Sequence, residues 1–279
     1  LIGDTPPGLQ GASGRVTSDL EWKRTFIAPG GLALTPILAA RTDSNFVDID
    51  GLTRSSAFRA MGTAGLEARW PILFSTTSAT HILEPVAQIF VRNNERLIGE
   101  LPNEDAQSFV FDASNLFERD KFSGFDRAEG GIRANLGLRY SGTFNNGWGV
   151  HALIGQSYHL GGLNSFAATT DLVNVGYESG LESNVSDYVA MVGINDNSGF
   201  NLAARGRFDE ETFELRRSEI EASLAKSRGS ITGRYTYIQA QPLYGSSLDR
   251  HEISATASAR LNANWSIFGS ATYDIVSNT

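Results

Sequence analysis

Apolar and polar residues alternate with a period of two along most of this chain, which is the signature of half-buried strands. Ile253, Ala255, Ala257, Ala259 and Leu261 are apolar, while Glu252, Ser254, Thr256, Ser258 and Arg260 lie between them. The next segment sets Trp265, Ile267, Gly269, Ala271, Tyr273 and Ile275 against Ser266, Ser270, Thr272 and Asp274. Phe200, Leu202, Ala204 and Phe208 alternate with Asn201, Arg205 and Arg207, and Ile132, Ala134, Leu136, Leu138 and Tyr140 with Arg133, Asn135 and Arg139. Near the start, Arg15, Thr17, Asp19, Glu21, Lys23 and Thr25 form one wholly polar face. About a dozen such segments recur, most near the ten or so residues that a tilted strand needs to cross a bilayer, whereas soluble strands usually stop at about five or six.

The links between segments come in two kinds. Short turns are expected at Ala28-Pro29-Gly30-Gly31, Asn145-Asn146-Gly147, Asp196-Asn197-Ser198, Ser227-Arg228 and Asn262-Ala263-Asn264, where Gly, Asn and Asp supply the positive φ of tight hairpins. Longer links are expected over Asp43 to Ser56, Asn93 to Arg127, Gly161 to Ser183 and Gln241 to Arg250, with a brief one near Glu210-Glu211 on the same side. Alternating short and long links are the habit of outer-membrane barrels. A soluble β-sandwich or β-helix also alternates, but a sandwich favours bulky side chains on its buried face. Here many apolar-face positions are Ala or Gly, and Trp148, Tyr158, Tyr235, Tyr237, Trp265 and Tyr273 fall near segment ends, as interfacial girdles require. The expected fold is all-β, an antiparallel transmembrane β-barrel formed by residues 1–279 as part of one larger barrel domain.

Composition agrees with this and removes other classes. The 279 residues are 41% hydrophobic and 19% charged, with 29 glycines. No stretch approaches the roughly 18 apolar residues of a membrane helix, which says nothing against strands crossing. There is no cysteine for a disulfide or thiolate site, and a net charge of -8 argues against a nucleic-acid surface. If the apolar face meets lipid, the polar face looks into the barrel. It carries Asp19, Glu21, Lys23, Glu67, Arg69, Glu84, Gln88, Arg133, Arg139, Arg205, Arg207, Arg234, Glu252 and Arg260. Both signs are interspersed, so a hydrated interior with internal ion pairs is expected.

One stretch breaks the repeat. After Glu84-Pro85-Val86-Ala87-Gln88 the chain enters a long outer loop at about 93–128, rich in phenylalanine and in acids. Ser114 to Arg119 suggests a short helical turn with Ser114 as its N-cap. Phe109, Phe111, Leu116, Phe117, Phe122 and Phe125 are too apolar for a free loop, so it is expected to fold onto the interior or onto a partner. The spaced set Glu84, Pro85, Asp112, Leu116, Phe117, Arg119, Phe122, Gly124, Asp126 and Arg127 resembles the C-terminal barrel region of LptD, the organic solvent tolerance family. That resemblance implies lipopolysaccharide insertion into the outer leaflet of a Gram-negative outer membrane. It also implies an LptE-like lipoprotein plug inside the barrel and an LptA-like periplasmic bridge feeding it through an N-terminal domain. Two departures stand out: better-known members carry cysteines, and the periplasmic N-terminal domain is not in this sequence, which reads as a fragment.

Other constellations carry less. His81, His151, His159 and His251 show no metal-ligand spacing. Gly155-Gln156-Ser157-Tyr158-His159 resembles a nucleophile elbow without its second glycine, but Ser157 and His159 share a face, so a barrel lipase is a third reading beside a general porin or ligand-gated transporter. Gly62 and Gly65 suggest a bulge or close packing. The acids Glu100, Glu104, Asp105, Asp112, Glu118, Asp120 and Asp126 suggest a solvated loop, or a site where divalent cations bridge to lipid phosphates. The expectation is a non-enzymatic lipid conduit without a cofactor. Any lateral opening in it should lie between weakly paired strands, with the first and last of the whole barrel as the expected place.

Overall fold

A computed structural model describes residues 11–49, 56–97, 105, 109–167, 178–242 and 246–276. Glu100 and Glu104, and parts of the links at 43–56, 161–183 and 241–250, lie outside the described residues. The strands are β1 (Gly11–Lys23), β2 (Phe26–Ile27), β3 (Ala33–Ile49), β4 (Ser56–Arg69), β5 (Ile72–Ser75), β6 (Ala79–Arg92), β7 (Ile132–Phe144), β8 (Gly149–Gly161), β9 (Tyr188–Asn195), β10 (Phe200–Phe208), β11 (Leu215–Lys226), β12 (Gly229–Ile238), β13 (Arg250–Arg260) and β14 (Ser266–Asp274). They form one 14-stranded sheet in the order β1-β3-β4-β6-β7-β8-β9-β10-β11-β12-β13-β14, with β2 paired to β3 and β5 to β6. Apart from the short β2 and β5, each strand lies beside the next along the chain, an antiparallel meander.

The turns fall where the chain supplies their chemistry. Gly30 and Gly31 have φ of 87° and 83°, and the Gly31 N–H donates to the Ala28 carbonyl at 3.1 Å. One turn carries no glycine or asparagine: Thr76-Thr77-Ser78 closes β5 onto β6 because Thr76 Oγ1 accepts from the Ala79 N–H at 3.1 Å. β3 continues through Asp43 to Ile49, seven residues of the stretch expected to be a link. Proline marks a change of partner within β6. The β5 ladder ends at Ile72↔Leu83, the β4 ladder begins at Arg69↔Val86, and Pro85, which has no N–H to give, sits between them.

The chain divides into two compact units. The first holds 1–70, 86–136 and 156–186. On its strands Val16, Leu20, Leu38, Phe58, Ile89 and Leu136 are exposed, while Arg41, Asp43, Arg59, Gln88, Arg133, Asn135 and Ser157 are buried. Leu20 is 74% exposed and Arg133 1%. That is the reverse of the ordinary partition between surface and core in water, and it is the partition hydrocarbon demands. The second unit holds 71–85, 137–155 and 187–279. Ile154, Val192, Ile220, Ile231, Ile253 and Ile267 form its exposed apolar face, and the other face carries charge. Among the described residues no helix is long and apolar enough to cross a membrane.

These faces predict opposite tolerances. Ile220→Arg, at the middle of β11, should cost about 2–4 kcal/mol in a bilayer, whereas Ser223→Arg on the other face should change stability by less than about 0.5 kcal/mol. Urea titration of the chain folded into phospholipid vesicles measures both, and equal costs at the two positions would overturn the assignment of faces.

Candidate functional site

The candidate site is the polar face of the first unit together with the loop held on it, residues 109–131. The loop is turned by its own polar residues. Asp112 Oδ1 accepts from the Ser114 N–H (2.6 Å) and hydroxyl (2.5 Å), and Asn115 Nδ2 donates to the Val110 carbonyl (2.7 Å). The expected helical turn with Ser114 as N-cap is instead a run of turns over 113–117 capped by Asp112. Asp112, two residues earlier, takes the N–H and the hydroxyl of Ser114 itself, so the serine side chain is turned back to the aspartate and away from the N–H groups it would cap. Phe111, Leu116 and Phe122 are buried, Phe117 and Arg119 half-buried. Phe122 stacks on Phe166 at 4.5 Å between centroids, and Phe109 lies 5.7 Å from Phe122.

Arginines of the sheet grip the loop by its backbone. Gly124 has φ of 76°, and a Cβ there would meet Asp105 at 2.6 Å, so only glycine allows this approach. The turn aims the Phe125 carbonyl at the sheet, where it accepts from Arg41 and from Arg59 Nη2 (2.6 Å), while Arg59 Nη1 donates to the Asp126 carbonyl at 2.9 Å. Asp43 holds both arginines in place, at 3.1 Å from Arg41 Nε and 2.8 Å from Arg59 Nε, and accepts from Thr17 at 2.7 Å. Asp126 and Asp105 both pair with Arg15, and Asp105 accepts from the Phe125 and Asp126 N–H groups at 2.9 Å. Burial works to raise the Asp105 carboxyl, but those N–H groups and Arg15 hold it down to about 2. Arg127 is buried, which pushes its guanidinium down from the usual arginine value. Arg119 reaches Asp19 at 3.5 Å and Glu21 at 3.1 Å, and its carbonyl accepts from Arg92.

Deeper lies a buried charge cluster. Glu129 forms an ion pair with Arg133 Nε at 2.7 Å and accepts from Arg92 Nη1 at 3.4 Å and from the Lys121 N–H at 3.2 Å. Burial raises its carboxyl, yet Arg92, Lys121 and Arg133 outweigh that and bring it to about 2. Lys121 Nζ donates to Asn135 Oδ1 at 3.2 Å, and burial brings its ammonium down to about 8. Asp120 is pushed up by burial and then by Glu129. Asn135 donates to Gln88 at 3.1 Å, and Gln88 donates to Glu67 at 2.6 Å and to the Phe117 carbonyl at 3.1 Å. Glu67 also pairs with Arg69 at 3.0 Å. Arg133 lies over the Phe166 ring at 5.2 Å and donates to Asn164 at 3.0 Å.

The other expected interior residues are placed as follows. Lys23 pairs with Glu21 at 2.9 Å, and Arg139 with Glu84 at 3.4 Å, while Pro85 is exposed. In the second unit Arg205 pairs with Glu219, Arg234 with Glu221 at 2.5 Å, and Arg207 with Asp187 at 3.2 Å. Glu252 is half-exposed and Arg260 exposed. Reading the sequence missed Arg41, Asp43, Arg59, Arg92 and Glu129, the groups that hold the loop. Asp43 and Arg41 extend the alternation of β3, and that was the signal available. The described acids of the loop do not converge on a cation, since Asp105 and Asp126 face Arg15, while Asp112 and Asp120 cap turns. Asp187, Asp209 and Glu210 do come together, with Arg207 and Arg216 already on Asp187 and Asp209. Ser157 is fully buried and donates to Asn135 at 2.7 Å, while His159 Nε2 faces the Gly162 carbonyl at 3.2 Å, so the two are not hydrogen-bonded to each other.

A family model described as LptD, LPS transport system D, matches residues 4–269. No curated protein matches. Among solved structures, outer membrane phospholipase A from Escherichia coli is 11% identical, with 94% of this chain and 77% of that one covered and a TM-score of 0.35. Salmonella typhi OmpF in complex with daunomycin is 12% identical, with 95% and 89% covered and a TM-score of 0.32.

The charge cluster makes two predictions. Glu129→Gln leaves Arg92, Arg133 and Lys121 facing one another in a buried site and should cost about 3–5 kcal/mol. A loss below about 1 kcal/mol in thermal unfolding would show that the cluster is solvated. The pH profile follows from the shifts. Glu129 stabilises the fold above its unfolded value near 4.5, and this is lost as pH falls towards about 2. Lys121 gives a slope of the same sign at the alkaline end. Between about 8 and 10.5 the unfolded lysine keeps a proton that the folded one has released, so stability rises with pH across that window. Lys121→Met should flatten this alkaline rise, which unfolding midpoints between pH 7 and 11 will register.

Proposed function

The chain belongs to the LptD family, LPS transport system D, and on that premise we propose that it forms the barrel of a lipopolysaccharide-assembly translocon that inserts the lipid into the outer leaflet. At family level the protein is an outer-membrane β-barrel of lipopolysaccharide transport. The observation that carries the finer reading is the polarity of the first unit, with charge buried on one face of the sheet and apolar residues exposed on the other. A lipid with a phosphorylated saccharide head and several acyl chains needs both environments side by side. The polar face, with arginine, glutamate, asparagine and serine groups, exchanges hydrogen bonds with sugar and phosphate, while the acyl chains remain in hydrocarbon. The protein performs no covalent step in this reading. Its part is to lower the cost of moving a charged head past an apolar layer. An LptE-like lipoprotein inside the barrel and an LptA-like bridge on the periplasmic side belong to the same proposal.

Co-purification tests it. The full-length protein, extracted from outer membranes in mild detergent, should retain lipopolysaccharide and a small lipoprotein identifiable by mass spectrometry. A solitary barrel that conducts ions and holds neither would replace this reading with a porin.

A further inference from the structure

Two arginines stand opposite one another at the short-turn end of the second unit. β12 and β13 pair from Gly229↔Ala259 to Ile238↔Arg250, and one step before that ladder the Arg260 N–H donates to the Arg228 carbonyl at 2.7 Å. Arg228 therefore continues the register opposite Arg260, and residues directly opposite on neighbouring strands send their side chains to the same face. Like charges in that position repel. Both arginines are exposed, and among the described residues neither makes an ion pair. Arg260 Nε donates to the Asn262 carbonyl of its own turn at 3.4 Å, which leaves its charge in place. The acids of the neighbouring strands and turns are engaged elsewhere. Asp196 accepts from the Ser198 N–H at 2.9 Å and the Phe200 N–H at 3.0 Å, and Glu221 accepts from Arg234 at 2.5 Å. Arg205, Arg207, Arg216 and Arg234 each have a carboxylate, so the pair at 228 and 260 departs from the habit of this unit.

The surroundings of the pair are polar with one exception. Two residues further in, the Ser230 and Ser258 hydroxyls share a hydrogen bond at 2.9 Å, and Phe268 of β14 lies opposite Ser258. This row is on the polar face, because Ile231 and Ile267 beside it are on the apolar one. Phe268 is nevertheless 90% exposed, a ring that gains by being covered. Thr232 and Thr256, paired in the next row, continue the hydroxyls inward. The end of the sheet is set by turn length. β11 passes to β12 through Ser227-Arg228 and β13 to β14 through residues 261–265, and short turns of outer-membrane barrels lie on the periplasmic side.

We infer that Arg228 and Arg260 form an anion site at the periplasmic end of the polar face, which takes a phosphate group on the saccharide of lipopolysaccharide while the Phe268 ring supports the sugar beside it. Two guanidinium groups side by side match the oxygens of a phosphate, and their mutual repulsion is relieved when it binds. The C–H side of a sugar ring covers Phe268, and the serine and threonine hydroxyls exchange hydrogen bonds with the sugar's own. This rests on the lipopolysaccharide reading above and adds a place on the chain for the charged head.

Repulsion and binding predict effects of opposite sign, which separates this site from a structural role. In the full-length protein, purified in mild detergent and stripped of lipid, Arg228→Gln combined with Arg260→Gln should raise the thermal unfolding midpoint. Arg234→Gln, which breaks the pair with Glu221, should lower it. Millimolar inorganic phosphate should raise the midpoint of the wild type and leave that of the double variant unchanged. Extracted from outer membranes, the double variant and Phe268→Ala should each retain several-fold less lipopolysaccharide than the wild type, measured by mass spectrometry. Stripped wild-type protein should likewise take up several-fold less of a lipopolysaccharide whose phosphates have been removed enzymatically. A double variant that melts below the wild type, or equal uptake of the dephosphorylated lipid, overturns the inference. Lipopolysaccharide retained equally by wild type and double variant removes the site and leaves the function standing. If the wild type retains none, both fall.

Discussion

Everything in the first unit depends on neutralising charge on a face that has little water. A sheet with leucine, phenylalanine and isoleucine on its outward side must turn its arginines and acids the other way, and there they need partners. Arg59 shows how fully the need is met: its three nitrogens reach the Asp43 carboxylate, the Phe125 carbonyl and the Asp126 carbonyl, and Glu95 lies 3.2 Å away. The loop is thus a counter-surface for the sheet. Its carbonyls and carboxylates complete a polar network that neighbouring strands cannot complete alone, because side chains on adjacent strands point the same way and stand side by side. The positive φ of Gly124 is the local condition for this, since it brings the Phe125 carbonyl round to two guanidinium groups.

The second unit meets the same requirement without such a loop. Arg205, Glu219, Arg234 and Glu221 alternate in sign across β10, β11 and β12, so each charge finds an opposite one on the next strand. Cross-strand pairs of this kind are partly exposed and contribute modestly to stability. The buried set around Glu129 is a different case, since two guanidinium groups pair with one carboxylate that also takes the Lys121 backbone N–H and feels the lysine's charge, and removal of that carboxylate strands them. One face of one sheet therefore carries two electrostatic regimes: a solvated ladder that tolerates change, and a dry cluster that does not.

Strands and faces were legible in the sequence because a period of two survives any local accident, and the polar residues of β7 and β10 stand where the alternation put them. The family was legible from a loop motif whose glycine and acids have fixed geometric duties. What escaped were groups whose role exists only in three dimensions. Asp43 was counted in a link because Asp, Ser and Asn favour turns. In the folded chain Thr17, Arg41 and Arg59 satisfy its carboxylate, and the strand runs on through it. The Thr76 turn escaped because a hydroxyl replaces the glycine that marks most hairpins. Glu129 gave no signal at all, since a lone acid after a loop looks like any solvated residue until the two arginines and the lysine around it are seen together.

The long outer end of β3 and β4 and the loop that follows β6 answer one another. The pairing of β6 with β4 ends at Arg92, whose backbone N–H stays on the β7 side through the Gly131 carbonyl while its guanidinium reaches Glu129 and the Arg119 carbonyl. Among the described residues the β4 edge beyond Thr63 is met by Asn93, through two hydrogen bonds on an exposed side chain, and such a contact opens far more readily than a ladder of backbone bonds. The arginines that secure Phe125, Asp126 and Arg119 stand on β3, β4 and β6, so the loop is fixed to three neighbouring strands at once.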